Sequence, residues 1–364
     1  MNLQASTTAE LNSALQGAQA GDTIYLAAGT YSGLAIKSLS FANAVTITSA
    51  NPSHQAVLTN FDITGVQGLS FSKLEFVATG TSSTAFNVSN SQYLSFDQIN
   101  FHGSLDHNPQ DDGQGLGILS SSHIGISNSE FQQFYRAILF GNSTDISVFS
   151  NNIHDLRTTG IVGAGVSNIQ VLGNHISNIY PMPGDHPDAI QFFTSGTSVA
   201  SHDITISNNV ISRGSGDGTQ GIFLRDQVGN LHFNNVTIYD NIVVGTGYGG
   251  IYVVGARNLQ IGSNELISTP GKVQNTWILV QNSDLVTSTN NQALQISYDN
   301  STHVTDSGNT LNSVASDLGA SALQTWAQTH GPDGAPLFGN FGSGHQPDPV
   351  QLMGLHLDLG FSLF

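Results

Sequence analysis

The sequence predicts an all-β solenoid, a chain of short parallel strands coiled and stacked on itself, and three observations carry that prediction. An eight-residue phrase, apolar-x-apolar-x-x-Asn-x-apolar, starts at Ile146, Ile169, Ile204, Val236 and Leu259, and in weaker form at Leu285 and Val304. Its sixth place is Asn151, Asn174, Asn209, Asn241, Asn264, Asn290 and Asn309. The same apolar skeleton without the Asn starts upstream at Val45, Leu69, Leu94 and Ile124. The starts recur every 22–25 residues or so, apart from a few longer steps. Apolar alternation with period two is a strand signal, and one strand per fixed interval is the signature of a repeat that stacks. Asparagines at one bend of successive coils can bond side chain to side chain across a strand spacing of about 4.8 Å.

The elements follow in order. Residues 1–20 read as an N-terminal cap, in which Thr7 and Glu10 can form a capping box ahead of a short apolar stripe of Leu11, Ala14 and Leu15. Residues 21–311 form the coil. Residues 312–364 read as a helix over 316–330, with Leu318, Leu323 and Trp326 apolar, followed by a Gly/Pro-rich tail. Each coil also needs a second long strand, and its apolar anchors are Phe86, Ile118, Ile138, Ile161, Ile190, Ile222, Ile251 and Trp277.

Three coils, those starting at Leu94, Ile169 and Ile204, are too long. Insertions in a solenoid enter loops on one face, and that face is often the binding face. The extra residues fall mainly before the second long strand, in "GSLDHNPQDDGQG", "YPMPGDHPD", "SRGSGDGTQG" and "STPGKVQN". The coils of Ile190 and Ile222 carry a further insertion after that strand, so the site is expected there.

Composition narrows the ligand. The 364 residues carry a net charge of -17 with 8 Lys plus Arg, which argues against nucleic acid. There is no cysteine, so disulfides and thiolate metal sites are excluded. No run is apolar and long enough to cross a membrane as a helix. No apolar leader stands near Met1; low basic content, no Cys and a tail ending "LHLDLGFSLF" fit a secreted or cell-surface protein exported through a C-terminal signal. Five of the eight basic residues, Arg136, Arg157, Arg213, Arg225 and Lys272, fall on one corner or strand, where they would draw in a polyanion.

The segment Asp185-His186-Pro187-Asp188 is the sharpest candidate for chemistry, because two carboxylates and an imidazole meet at an inserted corner that Pro187 stiffens. Alternation puts Ile190 and Phe192 in the core and leaves Gln191, Phe193, Phe223, Arg225, Tyr252 and Val254 outside. Phe223 and Tyr252 then form an aromatic platform for sugar rings. Asp106, His107, Asp111 and Asp112 lie in the earlier insertion and would form either a distal subsite or a calcium site, for which Asp111 and Asp112 offer hard oxygen ligands. His154 and Asp155 lie between the two insertions and can complete a groove.

The opening "AGDTIYLAAGTYSG" after a cap helix, followed by the Asn-bearing strands, resembles the right-handed single-stranded parallel β-helix superfamily of pectate lyase-like polysaccharide-active proteins. Alginate lyases, chondroitinase B and C5-epimerases are the relatives it resembles, over residues 6–311. The resemblance implies a right-handed coil and action on a polysaccharide. The fold hosts lyases, epimerases, hydrolases, esterases and tailspikes, so the activity has to come from the site. The epimerase pattern Asp-Pro-His-acid is permuted here, as Asp185-His186-Pro187-Asp188. The polygalacturonase pattern fails, because Thr219-Gln220 and Gly249 stand where an Asp pair and a His are needed.

The reading favoured is a lyase acting by β-elimination on a uronate-containing polysaccharide, with C5 epimerisation sharing the first half of the chemistry. Arg225 would neutralise the carboxylate, with Arg157 or calcium assisting. His186 would be the base and Asp188 its orienter, and Tyr180 or Tyr252 would be the acid. Arg136, Arg157, Gln191, Phe223, Tyr252, Lys272, Asp217 and His154 would bind substrate. The alternatives are a glycoside hydrolase pairing Asp185 or Asp188 with Asp217 or Asp226, and a non-catalytic polysaccharide-binding rod, tailspike or adhesin.

Overall fold

In the computed structural model, described over residues 1–80, 84–247, 249–271 and 276–330, the chain is a parallel β-helix. Each coil has a long strand, a bend, a short strand, a corner and a third strand, as in Ser167–Leu172, His175–Ile176 and Asp188–Phe193. The long strands form one sheet of 13, all parallel in the pairings that join it. The short and third strands together make a second sheet of 21 strands. The core is one continuous column of Ile, Val, Leu and Phe inside the coil. At its N-terminal end Phe61, Phe71, Phe76, Phe86, Phe96 and Phe101 stack or meet edge to face.

The phrase register holds from Val45 through Leu69, Leu94, Ile124, Ile146, Ile169, Ile204, Val236 and Leu259. It slips once. Leu259 pairs with Val286 and not with Leu285, which sits at positive φ and is 55% exposed. A one-residue slip moves a side chain to the other face of a strand, so Asn291 and not Asn290 occupies the ladder. The amides of Asn151, Asn174, Asn209, Asn241, Asn264 and Asn291 each donate to the next asparagine, ending at Asn309, at 2.9–3.0 Å. Each Oδ1 also accepts the backbone N–H one coil earlier, as Asn174 does from Asn151. A second ladder, not expected from sequence, runs along the opposite corner. Ser91, Ser121 and Ser143 each accept the backbone N–H of the preceding coil, and Ser201, Ser283 and Ser301 do the same further on.

Two of the third-strand anchors are corrected. Leu116 pairs with Phe86 and Ile138, so Ile118 is the next inward residue on the same face. Ile278 pairs with Ile251, and Trp277 precedes it.

The N-terminal helix Thr8–Gly17 is capped by Thr7, which accepts from the Glu10 N–H, while Glu10 reaches back to the Ser6 N–H. Leu11 and Leu15 are buried. The C-terminal helix begins later than expected, at Ala320, and ends at His330. Leu318 lies outside it, exposed and at positive φ, because Asp317 caps the helix through the N–H groups of Gly319 and Ser321. Leu323, Trp326 and Ala327 cover Val210, Ile242, Val244 and Ile267, the outward apolar residues of three short strands. No described helix is long and apolar enough to cross a membrane.

Candidate functional site

The inserted corners converge on the start of the third strands. Asp188 opens one strand in register with Gln220 on the next coil. The row that follows is small, with Ala137, Gly160, Ala189, Gly221 and Gly250. A Cβ on Gly160 or Gly221 would run into the carbonyl of Ala189 or Gly250, so the backbones pass close there. Ala189 and Ile190 both face the core, and Asp188 turns outward beneath His186.

Asp188 is fully buried, and its Oδ2 lies 2.8 Å from His186 Nδ1. The imidazole is 56% exposed. Its Nε2 lies 3.1 Å from the Gln220 Nε2 amide, which in this arrangement donates to it. The Asp188 hydrogen bond raises the His186 pKa above its usual range, against the opposing effect of partial burial. Burial raises the Asp188 carboxyl, and the contact with His186 offsets part of that. Pro187 fixes the link, since its carbonyl accepts the Gln220 N–H at 3.0 Å. The result is an exposed imidazole held in one tautomer by a buried carboxylate, the arrangement of an oriented general base.

Arg225 lies at the far end of the strand paired with that of Asp188, is exposed, and its side chain makes no hydrogen bond or ion pair among the described residues. Its charge reaches His186 and opposes protonation there. Gln191 is half-buried and pairs with Val162 and Phe223.

Several expected roles are corrected. Asp185 is not free for chemistry, because both its oxygens take Arg157 at 2.8 and 2.9 Å and Oδ2 also accepts the Met182 N–H. Arg157 is neutralised by the same pair, which holds the Asp185 carboxyl below its usual range, and its Nη1 donates to the Gln110 carbonyl. The two insertions are therefore tied together across the intervening coils. His154 offers no open nitrogen: Nδ1 lies 2.8 Å from Asp155 and Nε2 3.0 Å from Glu130. Although burial opposes it, these two acids push its pKa up to about 9. Phe223 is not an open platform, being 3% exposed. Its ring supports His186 at 5.3 Å and Tyr252 at 5.2 Å, both tilted. Tyr252 donates its hydroxyl to Gln281 at 2.7 Å.

Tyr180 shares a hydrogen bond with Ser215 and lines a cavity of about 180 Å³ with His107, Asn108, Gln110, Gln133 and Asp155. Asp226 is a corner staple, not a groove acid: it is buried and accepts from Thr194, Gly229 and Leu231. Asp217 is exposed. Lys272 lies outside the described residues. Asp106, Asp111 and Asp112 bring one carboxylate oxygen each to within 4.8 Å of one another, a hard-oxygen set of the kind calcium takes.

Sequence reasoning missed Gln220, whose place beside His186 comes from the register of strands on neighbouring coils. Asp106, named in the earlier insertion from the sequence, joins Asp111 and Asp112 in the acidic cluster, and its side chain accepts the Asn108 N–H in an Asx-type contact.

With this geometry described, the comparisons place the fold. Residues 84–266 match the family described as the right handed beta helix region, and the chain belongs to that family. No curated protein matches it in sequence. Among solved structures it is similar to the Dettilon tailspike protein (13% identity, 85% of this chain and 63% of that one, TM-score 0.59). It is also similar to the catalytic unit of a GH87 α-1,3-glucanase from Streptomyces thermodiastaticus (14% identity, 88% and 68%, TM-score 0.55). A third likeness is to a PL6 family polysaccharide lyase from Pseudopedobacter saltans (13% identity, 87% and 93%, TM-score 0.52). At these identities the likeness is one of fold.

Proposed function

We propose that this protein is a polysaccharide-active enzyme that cleaves an acidic, uronate-containing polysaccharide by β-elimination, with His186 as the base. The observation that carries the reading is the imidazole of His186, exposed at the inserted corner and oriented by the buried Asp188. Neighbours of the same fold that bear the names of a polysaccharide lyase, a glucanase and a tailspike support a polysaccharide as the ligand.

A proton α to a carboxylate is a weak acid, and its removal builds negative charge on that carboxylate. Neutral His186 would take the C5 proton on Nε2, giving up its contact with Gln220. Arg225, which has no ion pair among the described residues, would meet the uronate carboxylate and stabilise the charge as it forms. The electron pair then makes the C4–C5 double bond and expels the 4-linked oxygen. The phenols of Tyr180 and Tyr252 are held by Ser215 and Gln281, so the imidazolium itself can return the proton to the leaving oxygen. Epimerisation would share this first step but need a second acid to deliver a proton to the opposite face of C5.

The hydrolase reading is weaker on specific grounds. It needs two available carboxylates across one bond. Asp185 is spent on Arg157, Asp188 on His186 and Asp226 on its own corner, which leaves Asp217. The test is incubation with a panel of acidic and neutral polysaccharides, following ultraviolet absorbance of the unsaturated uronyl end together with new reducing ends. Both signals rising on an acidic polymer is the expected result. Reducing ends without absorbance would select hydrolysis, and binding without either signal would select a non-catalytic rod.

A further inference from the structure

Arg136 opens the third strand two coils before that of Asp188, in register with Gln114 and Thr159. Its guanidinium lies 5.0 Å from the centre of the Tyr135 ring, and that of Arg157 lies 4.8 Å from the same centre. Two cations thus share one aromatic ring, and only one of them is neutralised. Arg157 has both oxygens of Asp185. The Arg136 side chain has no hydrogen bond and no ion pair among the described residues, and its Nε is buried without an acceptor. The acids that feel its charge are Asp185 and Asp188, and each is already committed, to Arg157 and to His186.

In a chain with 25 acidic and 8 basic side chains, an arginine beside another arginine and without its own acid runs against composition. A buried donor with no acceptor is also costly. Polar atoms without partners continue on the following coils: Thr159 Oγ1, Asp188 Oδ1 and Gln220 Oε1 are also buried and unpaired. Arg136 pairs with Thr159, Ile161 with Ile190 and Asp188 with Gln220, so the four residues form one row along the axis.

We infer that Arg136, backed by Tyr135, is an anion subsite that takes the carboxylate of a second uronate, about two sugar units from the one held at His186. The inference rests on the acidic-polysaccharide reading above and adds the requirement that the substrate carry carboxylates on nearby units. Coils repeat at about 4.8 Å, roughly the length of a pyranose unit, so a chain lying along the axis would pass both positions. Arginine suits this role because its planar fork can meet both oxygens of a carboxylate.

The test is calorimetric binding of an acidic oligosaccharide, and of the same oligosaccharide with its carboxyls reduced to alcohols, to wild type, Arg136→Ala and Arg136→Lys, with thermal melts to verify folding. Arg136→Ala should weaken binding of the acidic oligomer about 10- to 100-fold, leave binding of the reduced one unchanged, and flatten the salt dependence. Arg136→Lys should recover part of the loss. Should Arg136→Ala misfold, Arg136→Gln keeps the stem and the ring contact and gives the same readout. Equal affinity of wild type and a folded variant for the acidic oligomer would overturn the subsite while leaving the β-elimination reading intact. A loss confined to Arg136→Ala in a wild type that forms no unsaturated product would support the subsite and sink the reaction. Failure of the wild type to prefer the acidic oligomer over the reduced one would sink both.

Discussion

On successive coils, His154 and His186 each hold an aspartate oxygen at 2.8 Å through Nδ1, and their settings diverge from there. The His154 side chain is 16% exposed, and its second nitrogen meets another carboxylate, Glu130. The His186 side chain is 56% exposed, and its second nitrogen meets only a neutral amide at 3.1 Å. Two acids around one imidazole fix the charged form, which is a structural ion cluster. One buried acid under an open imidazole leaves a group that can gain and lose a proton at an accessible nitrogen. A His beside an Asp in sequence is therefore no sign of catalysis by itself; what the second nitrogen faces decides the role. The same logic separates Arg157, closed by Asp185, from Arg225, which is open.

The largest expected effect breaks the comparison directly. His186→Ala should lower turnover of an acidic polysaccharide by about 10²- to 10⁴-fold, the range of a lost general base, out of proportion to the modest loss of melting temperature caused by leaving the buried Asp188 without its partner. His154→Ala should do the reverse. It strands Glu130 and Asp155 around an empty site and should cost roughly 2–3 kcal/mol of stability, while turnover stays within a few-fold. Full activity in the His186 variant, measured by unsaturated product, would move the base elsewhere.

Asp188→Asn comes next. Asp188 raises the His186 pKa, and the base form is the neutral imidazole, so activity should rise with pH through that raised value. Replacing the carboxylate with an amide should shift this acid limb to lower pH. It should also lower the maximum about 10²-fold, because the tautomer is no longer held. An unshifted limb in the pH–rate profile would show that the titrating group is not His186.

A third measurement reads stability against pH in the closed cluster. His154 has a folded pKa of about 9, above its ordinary 6.5. Its stabilisation should be complete below pH 6.5 and be lost as pH rises through 9, a change on the order of 3 kcal/mol. His175 has the opposite sign: burial first, and the charge of His154 second, hold it down to about 4. Its contribution should erode stability as pH falls from 6.5 toward 4. Chemical melts across this range should therefore show a maximum near neutrality. In His154→Gln the alkaline fall should shrink.

Much of the fold was legible because its determinants are local. Apolar alternation fixes which face of a strand is buried, and the phrase starts matched the strand register at every coil but one. That miss, Asn290 for Asn291, arose because Leu285 is apolar yet lies at a left-handed bend, where the period-two rule does not apply. The dyad was legible for the same reason: His186 and Asp188 sit two residues apart and share a corner. The partners of the remaining charges were not. Arg157 meets Asp185 across 28 residues and Gln110 across 47, through loops of different coils. The covering of Phe223 likewise depends on how His186 folds over the next strand. A row of alanine and glycine shows in sequence only as small residues, and it takes the stacked backbones to reveal that a side chain at Gly160 or Gly221 would meet the carbonyl of the next coil.

The smallest effect concerns the second nitrogen itself. Gln220 is buried, its amide nitrogen faces His186 Nε2, and its Oε1 has no partner. A donor at Nε2 favours the neutral imidazole, so Gln220 opposes the rise in pKa that Asp188 causes. If the amide turns over, Oε1 can accept from the protonated ring, so the same side chain suits both states of the base. Gln220→Ala should therefore raise the acid limb slightly, by a few tenths of a pH unit on the scale of one neutral hydrogen bond, and change turnover only a few-fold. Gln220→Glu places a second carboxylate on the imidazole and rebuilds at His186 the closed setting of His154. It should push the limb well upward and depress activity at neutral pH, with recovery in alkali. Parallel pH–rate profiles of the two variants check this, and a Gln220→Glu profile matching wild type would mean that the 3.1 Å contact plays no part in setting the base.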